Sequence, residues 1–267
     1  MPRSSATARR SPAARRRNSG RRSRRKQEDA MESIRKTARL AGWVYLGVVI
    51  SGLFVLMYVP SRLFVSDNAA ATVGNIVAHQ TLFRTYILIG VIAELLFITV
   101  VLLLYRLFKE VNQLLAGAMV LLVLIIAPLA FLSSMNQVAT LAFARGDALL
   151  AVFDKPQRDA LAALLLTIDD QGTLIAEIFW GLWLLPLGLL VFRSGFLPRF
   201  LGVWLIINGL AYLVISMTGL LLPQHVHTMF LIAQPALMGE LAFTLWLLIV
   251  GARPSEATID FASSRVS

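Results

Sequence analysis

Six stretches of the chain stay apolar over about 20 residues, the length of helix that a ~30 Å bilayer core requires. They are residues 40–59, 82–104, 114–132, 174–191, 200–222 and 228–250. None shows the period of two that a barrel strand needs. The pattern therefore predicts an all-α, polytopic membrane helix bundle with six transmembrane helices. The links between the second and third spans and between the fourth and fifth are short, which predicts two helical hairpins. Two other links are long. In the first, Ala69-Ala70-Ala71-Thr72 and Ile76-Val77 predict a short helix started by Asp67 or Asn68. In the second, Gly146-Asp147 breaks the chain, and Asp154 ahead of Lys155-Pro156 starts a helix. Leu161, Leu164, Leu165 and Ile168 give that helix one apolar face, and Asp169-Asp170-Gln171-Gly172 is expected to end it. The expected organisation is a tail over 1–35, a transmembrane domain over 36–252 and a second tail over 253–267.

Composition agrees with the pattern. Of 267 residues, 57% are hydrophobic and 15% charged, and the mean hydropathy is +0.72. A soluble domain is nearer 45–50% apolar and roughly 25% charged. An ordinary soluble enzyme and a disordered chain are both excluded. With no Cys, disulfides, thiolate metal sites and Cys nucleophiles are excluded too.

The net charge of +10 belongs to one end. Residues 1–39 carry 14 of the 25 basic side chains and 3 acids, while residues 40–267 are close to neutral. Residues 1–30 lack apolar periodicity and are expected to be disordered. Three readings compete for them. They contact anionic lipid or nucleic acid, they hold the N-terminus inside, or they precede a true start at Met31, which stands just before the first apolar stretch. The last is the expected one. With the N-terminus inside, the inner links hold 20 Lys and Arg and the outer ones 5. Both termini are thus expected in the cytoplasm. Trp43, Trp183, Trp204 and Tyr45 stand toward span ends, where interfacial belt residues lie.

Four polar residues fall inside the spans. Glu94 and Glu240 lie near mid-depth, Asn208 is central in the fifth span, and Glu177 is a turn or two inside the fourth. A carboxylate facing lipid at the bilayer centre costs ~3 kcal/mol or more, so these groups are expected to face the interior. Gly90, Gly181, Ala233, Ala236 and Gly239 stand near them, and small residues let helices approach. No Lys or Arg shares their depth, which favours a shared proton or a bound cation over an ion pair. The competing reading is interhelical bonding of the glutamates to Asn208, Ser216, Thr244 or backbone. His225 and His227 share a short outer link and could both reach a metal from an extended segment, though no spacing supplies a third ligand. There is no Walker A sequence, dinucleotide fingerprint, Gly-x-Ser-x-Gly or His-Glu-x-x-His. No catalytic residue and no cofactor is assigned.

Ala93-Glu94-Leu95-Leu96-Phe97 echoes Gly239-Glu240-Leu241-Ala242-Phe243, and Ala41-Gly42-Trp43 echoes Leu201-Gly202-Val203-Trp204. These matches suggest a repeated two-helix unit with Glu94 and Glu240 as counterparts. The segments at 37–46, 67–76 and 103–109, Phe192-Arg193-Ser194-Gly195-Phe196-Leu197-Pro198-Arg199 and Met238-Gly239-Glu240-Leu241 carry a further likeness. Through them the chain resembles the bacterial domain-of-unknown-function 4386 family over about 35–252. The resemblance implies a multi-span bacterial inner-membrane protein without established activity. Members begin shortly before the Arg39-Leu40-Ala41-Gly42 segment, in keeping with a Met31 start. The Arg193–Arg199 segment has its own local reading: Gly195 ends one helix and Pro198 precedes the next.

Three functions remain from the sequence. The first is binding or transport of a small molecule or cation at a mid-depth polar site of Glu94, Glu240, Asn208 and Glu177. The second is a non-catalytic partner or sensor subunit whose glutamates only pack helices. The third is a lipid-acting intramembrane enzyme near Glu177, His225 and His227. The expected partners are the lipid bilayer and anionic lipid at the basic tail, with a protein partner left open and no specific nucleic acid.

Overall fold

The computed structural model describes residues 12–65 and 68–252. The described residues are helical throughout, with no strand among them. Helix α1 is Pro12–Leu53, followed by a π-helical turn Phe54–Tyr58 and helix α2, Val59–Leu63. Helix α3 is Ala69–Ala78, α4 Gln80–Phe108, α5 Gln113–Arg145 and α6 Lys155–Arg193. Helix α7 is Arg199–Leu221 and α8 Val226–Ile249. Six of these segments are long and apolar enough to cross a membrane: Met31–Leu63, α4, α5, α6, α7 and Pro223–Ile249.

Local chemistry sets most of the ends. The Asn68 side chain accepts from Ala71 N–H at the start of α3, and Asn112 does the same for Leu115 at the start of α5. Asp67, the alternative start for α3, lies outside the described residues. Gly146 ends α5 at φ 69°, as expected of a left-handed cap. Asp154 and Gln157 form a reciprocal capping box at the head of α6. Gly195 has φ 70°, and Pro198 caps the start of α7. The π turn has a cause in Pro60. Its missing N–H and its ring remove the bond to Leu56 C=O, and Val59 N–H reaches back to Phe54 C=O instead.

Two expectations are corrected here. Residues 12–30 are helical and continuous with α1, where disorder was expected. Their Arg, Ala, Lys and Gln are good helix formers even without an apolar stripe. Residues 1–11 and the tail after 252 lie outside the described residues. The second correction concerns Asp169-Asp170-Gln171-Gly172, which does not end a helix. Helix α6 runs unbroken through it for 39 residues. Asp169 bonds across to α5, so its carboxylate does not compete with the backbone. The expected apolar face is also turned: Leu164 is exposed, while Ala162 is buried and Leu166 packs against a cluster with Val59, Leu63, Ile76 and Phe83.

The six spans form a closed ring in chain order. Each packs on its sequence neighbour, and α8 closes on α1. The end bearing Arg39, Lys109, Arg193 and Arg199 is here termed the basic end; the end bearing α3 is the loop end. The main buried cluster lies in the basic half, with Leu104, Phe108, Met119, Leu187, Leu205 and Leu247 among its members. Leu40, Leu121, Leu210, Leu231, Ile232 and Ile249 point outward and exposed, as side chains facing acyl chains do.

Backbones meet where glycines permit it. A Cβ on Gly181 would lie 2.5 Å from Gly209 O, and one on Gly209 2.7 Å from Gly181 O. Gly188 and Gly202 are related the same way, at 2.7 and 2.6 Å. One heptad nearer the loop end, Ser216 Oγ donates to Leu174 O. Pairs 174–216, 181–209 and 188–202 therefore step by seven residues along two antiparallel helices. On α1, a Cβ at Gly42 would meet Leu248 N of α8 at 2.6 Å, and Arg39 donates to Ile249 O there.

This geometry predicts that Gly181→Ala or Gly209→Ala destabilises the protein by about 1–3 kcal/mol through overpacking. Gly172→Ala, with open space around its Cβ position, should leave stability unchanged or raise it by about 0.5–1 kcal/mol. Thermal unfolding in detergent reads both.

Candidate functional site

The loop half of the ring is hollow. A cavity of about 610 Å³ is walled by α1, α4, α5 and α6, with Tyr212 from α7 and Glu240 from α8. Its floor is aromatic. Phe97 and Trp183 meet edge to face at 5.0 Å, and Tyr45 packs on Trp183 and Phe243 at 6.4 Å. Two residues expected in an interfacial belt are thus misplaced by that reading: Tyr45 is buried, and Trp183 is 1% exposed. Trp43, at 63%, does face outward. The two differ because Trp183 lies opposite Gly181 on α6, turned away from α7 and into the ring.

Glu94 and Glu240 both line this cavity. Glu240 is held: Tyr45 OH donates to its carboxylate, and Tyr212 and Asn208 also reach it. Glu94 is different. Its side chain is 8% exposed, and its Oε1 is buried without a hydrogen-bond partner. Asn208 is fully buried and stands outside the cavity lining, behind Glu240. Its Nδ2 donates to Leu237 O at 3.4 Å. Glu177 does not line the cavity either, although its Oε2 is buried and unpartnered. Ser216 and Thr244 bond to backbone carbonyls rather than to a carboxylate. Gly90 lines the cavity with open space around it, so it makes room rather than a helix contact.

A third acid joins the wall. Asp169 accepts from Ser133 Oγ and from Gln137 Nε2 at 2.9 Å. Gln137 Nε2 also lies 3.1 Å from Tyr86 OH and from Ser133 Oγ. All four residues line the cavity near the loop end. The sequence reading treated Asp169 as a helix terminator and did not single out Ser133 or Gln137. Their spacing of four places both on one face of α5, which was the available signal.

The lining therefore has three carboxylates, and among the described residues that form it there is no Lys, Arg or His. The ion pairs among the described residues lie elsewhere, at Glu32–Lys36, Arg145–Asp147 and Lys155–Asp159. Helix depth orders the acids. At 1.5 Å per residue, Glu240 lies about 14 Å from the basic end of α8, Glu94 about 21 Å from that of α4 and Asp169 about 36 Å from that of α6. The cavity thus runs from mid-bilayer depth to the loop-side boundary of a ~30 Å core.

The histidines do not converge on a site. His225 ends the 3-10 turn Pro223–His225, and His227 lies in the first turn of α8. The segment is helical rather than extended, so residues two apart point to different sides. Among the described residues, no group of three His, Asp or Glu side chains could hold a metal.

Fold and cavity together define a multi-pass helical membrane protein with an acidic, aromatic-floored chamber. The chain belongs to the family described as a domain of unknown function, DUF4386, whose model matches residues 40–251. An uncharacterized protein of Archaeoglobus fulgidus is 32% identical over 85 residues, which is 31% of this chain and 48% of that protein. The match spans about half of that relative's length. No solved structure matches the chain.

The α5–α6 network predicts that Gln137→Leu, which strips Asp169 and Tyr86 of a partner, costs about 1–3 kcal/mol. Tyr86→Phe, which leaves Asp169 bonded, should cost about 0.5–1.5 kcal/mol. Chemical or thermal unfolding of the purified protein separates the two.

Proposed function

We propose that the chain binds, and in the cell moves, a small cationic or basic molecule in the chamber of Glu94, Glu240 and Asp169. The observation that carries this reading is Glu94, which lines a cavity with three acids and whose Oε1 is buried without a hydrogen-bond partner. A buried charge without a partner is costly. A cation in the cavity supplies the partner that no side chain there provides. The packing reading requires both glutamates to be bonded to neighbours, which holds for Glu240 alone. The enzyme reading requires Glu177 to meet His225 and His227, and Glu177 lies outside the cavity.

In the proposed setting the protein sits in the bacterial cytoplasmic membrane with both termini in the cytoplasm. The excess of Lys and Arg at the basic end supports that orientation. The chamber then faces the outer side. Asn208 and Glu177 act from behind its wall, Asn208 by orienting Glu240.

Ligand binding is tested by thermal unfolding of detergent-purified protein with Na⁺, K⁺, Mg²⁺, Ca²⁺ and tetramethylammonium. A ligand at 100 times its Kd adds about 2.7 kcal/mol to the folded state. The expected result is stabilisation by at least one cation, lost in both Glu94→Gln and Glu240→Gln. Absence of any shift, with variants as stable as the parent, would assign the glutamates to packing. Orientation is tested on the Cys-free chain. Val152→Cys should react with a membrane-impermeant maleimide on intact cells, and Glu110→Cys should react only after lysis.

A further inference from the structure

We propose that the ligand of this chamber is a lipophilic organic cation, and that it enters sideways from the hydrocarbon, between α1 and α8. The inference rests on the cation-binding reading of the same cavity and adds the ligand's class and its route.

The route follows from where packing stops. Near the basic end α1 and α8 touch backbone to backbone at Gly42 and Leu248. The Tyr45–Glu240 hydrogen bond is a further link across that seam. Beyond it, toward the loop end, each helix stays on its other neighbour: α1 on α4, where a Cβ at Gly47 would lie 3.2 Å from Leu96, and α8 on α7, where Trp204 and Asn208 donate to Pro235 O and Leu237 O. No residue of α1 and its π turn from 46 to 58 is buried. On α8 the buried residues begin at Gly239, so none of 226–238 is buried. The cavity wall agrees: α8 contributes only Glu240 and α7 only Tyr212, whereas α6 lines it as far as Thr167. The chamber is therefore walled by α1, α4, α5 and α6, while above Glu240 α8 adds nothing to the lining beside α1.

That gap lies at acyl-chain depth. Leu56 in the π turn, counted from Arg39, and Leu231 and Ile232 on α8, counted from Ile249, are about 25–27 Å from the basic end, inside a ~30 Å core. All three are exposed apolar side chains. A fully hydrated ion has no favourable path through such a margin, whereas a molecule already dissolved in the bilayer does. The π turn Phe54–Tyr58 stands at this margin, and such turns inside α-helices often mark functional positions.

The ligand class follows from the lining. Tyr45, Phe97, Trp180 and Trp183 share the lining with the inner carboxylates, and aromatic rings with nearby acids recognise organic cations. The absence of Lys, Arg and His among the described lining residues disfavours a phospholipid, whose phosphate would be left without a partner. A volume of about 610 Å³ is in the range of small-molecule sites, roughly 300–1,000 Å³.

The test uses the full chain in lipid nanodiscs, with tryptophan fluorescence as readout, because Trp180 and Trp183 line the chamber. Tetraphenylphosphonium is the lipophilic probe, tetramethylammonium the hydrophilic one, and empty nanodiscs correct for partitioning. Tetraphenylphosphonium should bind saturably, about tenfold or more tighter than tetramethylammonium. Glu94→Gln should weaken it by about tenfold or more, the loss expected of a charged partner. Gly52→Trp should do the same by filling the margin, since nothing lies within 4 Å of its Cβ position. Gly52→Leu repeats the test with a smaller group, and Gly117→Trp, outside the cavity, should leave binding unchanged. Equal binding of both probes, lost in Glu94→Gln but not in Gly52→Trp, would overturn this inference and keep the cation site. Tight tetraphenylphosphonium binding indifferent to both Gly52 variants would overturn the lateral route. Binding of neither probe, nor of any inorganic cation, would overturn both readings.

Discussion

The close approach of α6 and α7 is the constraint from which the rest of the site follows. Gly181 and Gly188 admit the carbonyls of Gly209 and Gly202 to distances that no Cβ tolerates. In a bilayer, apolar burial gives helices little reason to associate, and close packing takes over that role. The step of seven residues fixes rotation as well as distance. Two residues beyond Gly181, at about 100° each, Trp183 points some 200° away from α7. Asp169, Ala176, Trp183 and Leu190 share that opposite face, again at steps of seven. The same registry that seats glycine against α7 therefore aims an acid and an indole into the ring. A shift of one residue would turn Trp183 toward a neighbouring helix and Asp169 out of reach of Gln137.

Ring closure divides the bundle into a solid half and a hollow half. At the basic end, Gly42 against Leu248 and Arg39 on the last carbonyls of α8 draw α1 and α8 together. A cation at a helix C-terminus also complements the dipole there. Phe108, Met119, Leu187 and Leu247 fill the space. Above the aromatic floor the fillers give way to Gly52, Gly90, Ala93, Ala130, Ala176 and Gly172. Small side chains from several helices, spread over about 20–32 Å from the basic end, leave volume that no neighbour reclaims. The loop half is then held from outside by α3, where Asn75 Nδ2 donates to Leu63 O. The apolar cluster around Ile76, Phe83 and Leu141 adds to that hold.

Much of this was legible in the chain. Six apolar runs, the Asn68, Gly146 and Asp154 signals and the Gly195–Pro198 turn all act locally, through capping and backbone preference, and appear where residue chemistry puts them. Glu94 and Glu240 were legible because a charge in an apolar run must face inward whatever the fold. Depth was legible from helical rise. Rotation was not. Whether Trp183 faced lipid or interior depended on which neighbour took the glycine face, and that is a tertiary choice. Asp169 was misread for a related reason: beside Gly172 it has the local character of a stop, and only its partners on α5 show otherwise. The same ambiguity joined His225 and His227 to Glu177 on grounds of depth alone, although the ring places Glu177 behind the cavity wall.

The two inner acids of the chamber are not equivalent, and the difference gives the site its direction. Glu240 is anchored by Tyr45 from α1 and by Tyr212 and Asn208 from α7. Its charge serves to hold a seam. Glu94 is anchored by nothing through Oε1 and stands one wall away, on α4. Buried polar groups without partners weaken a membrane fold; Glu177 Oε2 and Asn208 Oδ1 share that state with Glu94 Oε1, but of the three residues Glu94 alone lines the chamber. Hydroxyl and amide groups also line the chamber: Ser133 and Gln137 donate to Asp169, and Tyr86 OH pairs with Gln137. Glu94 is thus left open while its surroundings are bonded, at the depth where an aromatic floor begins.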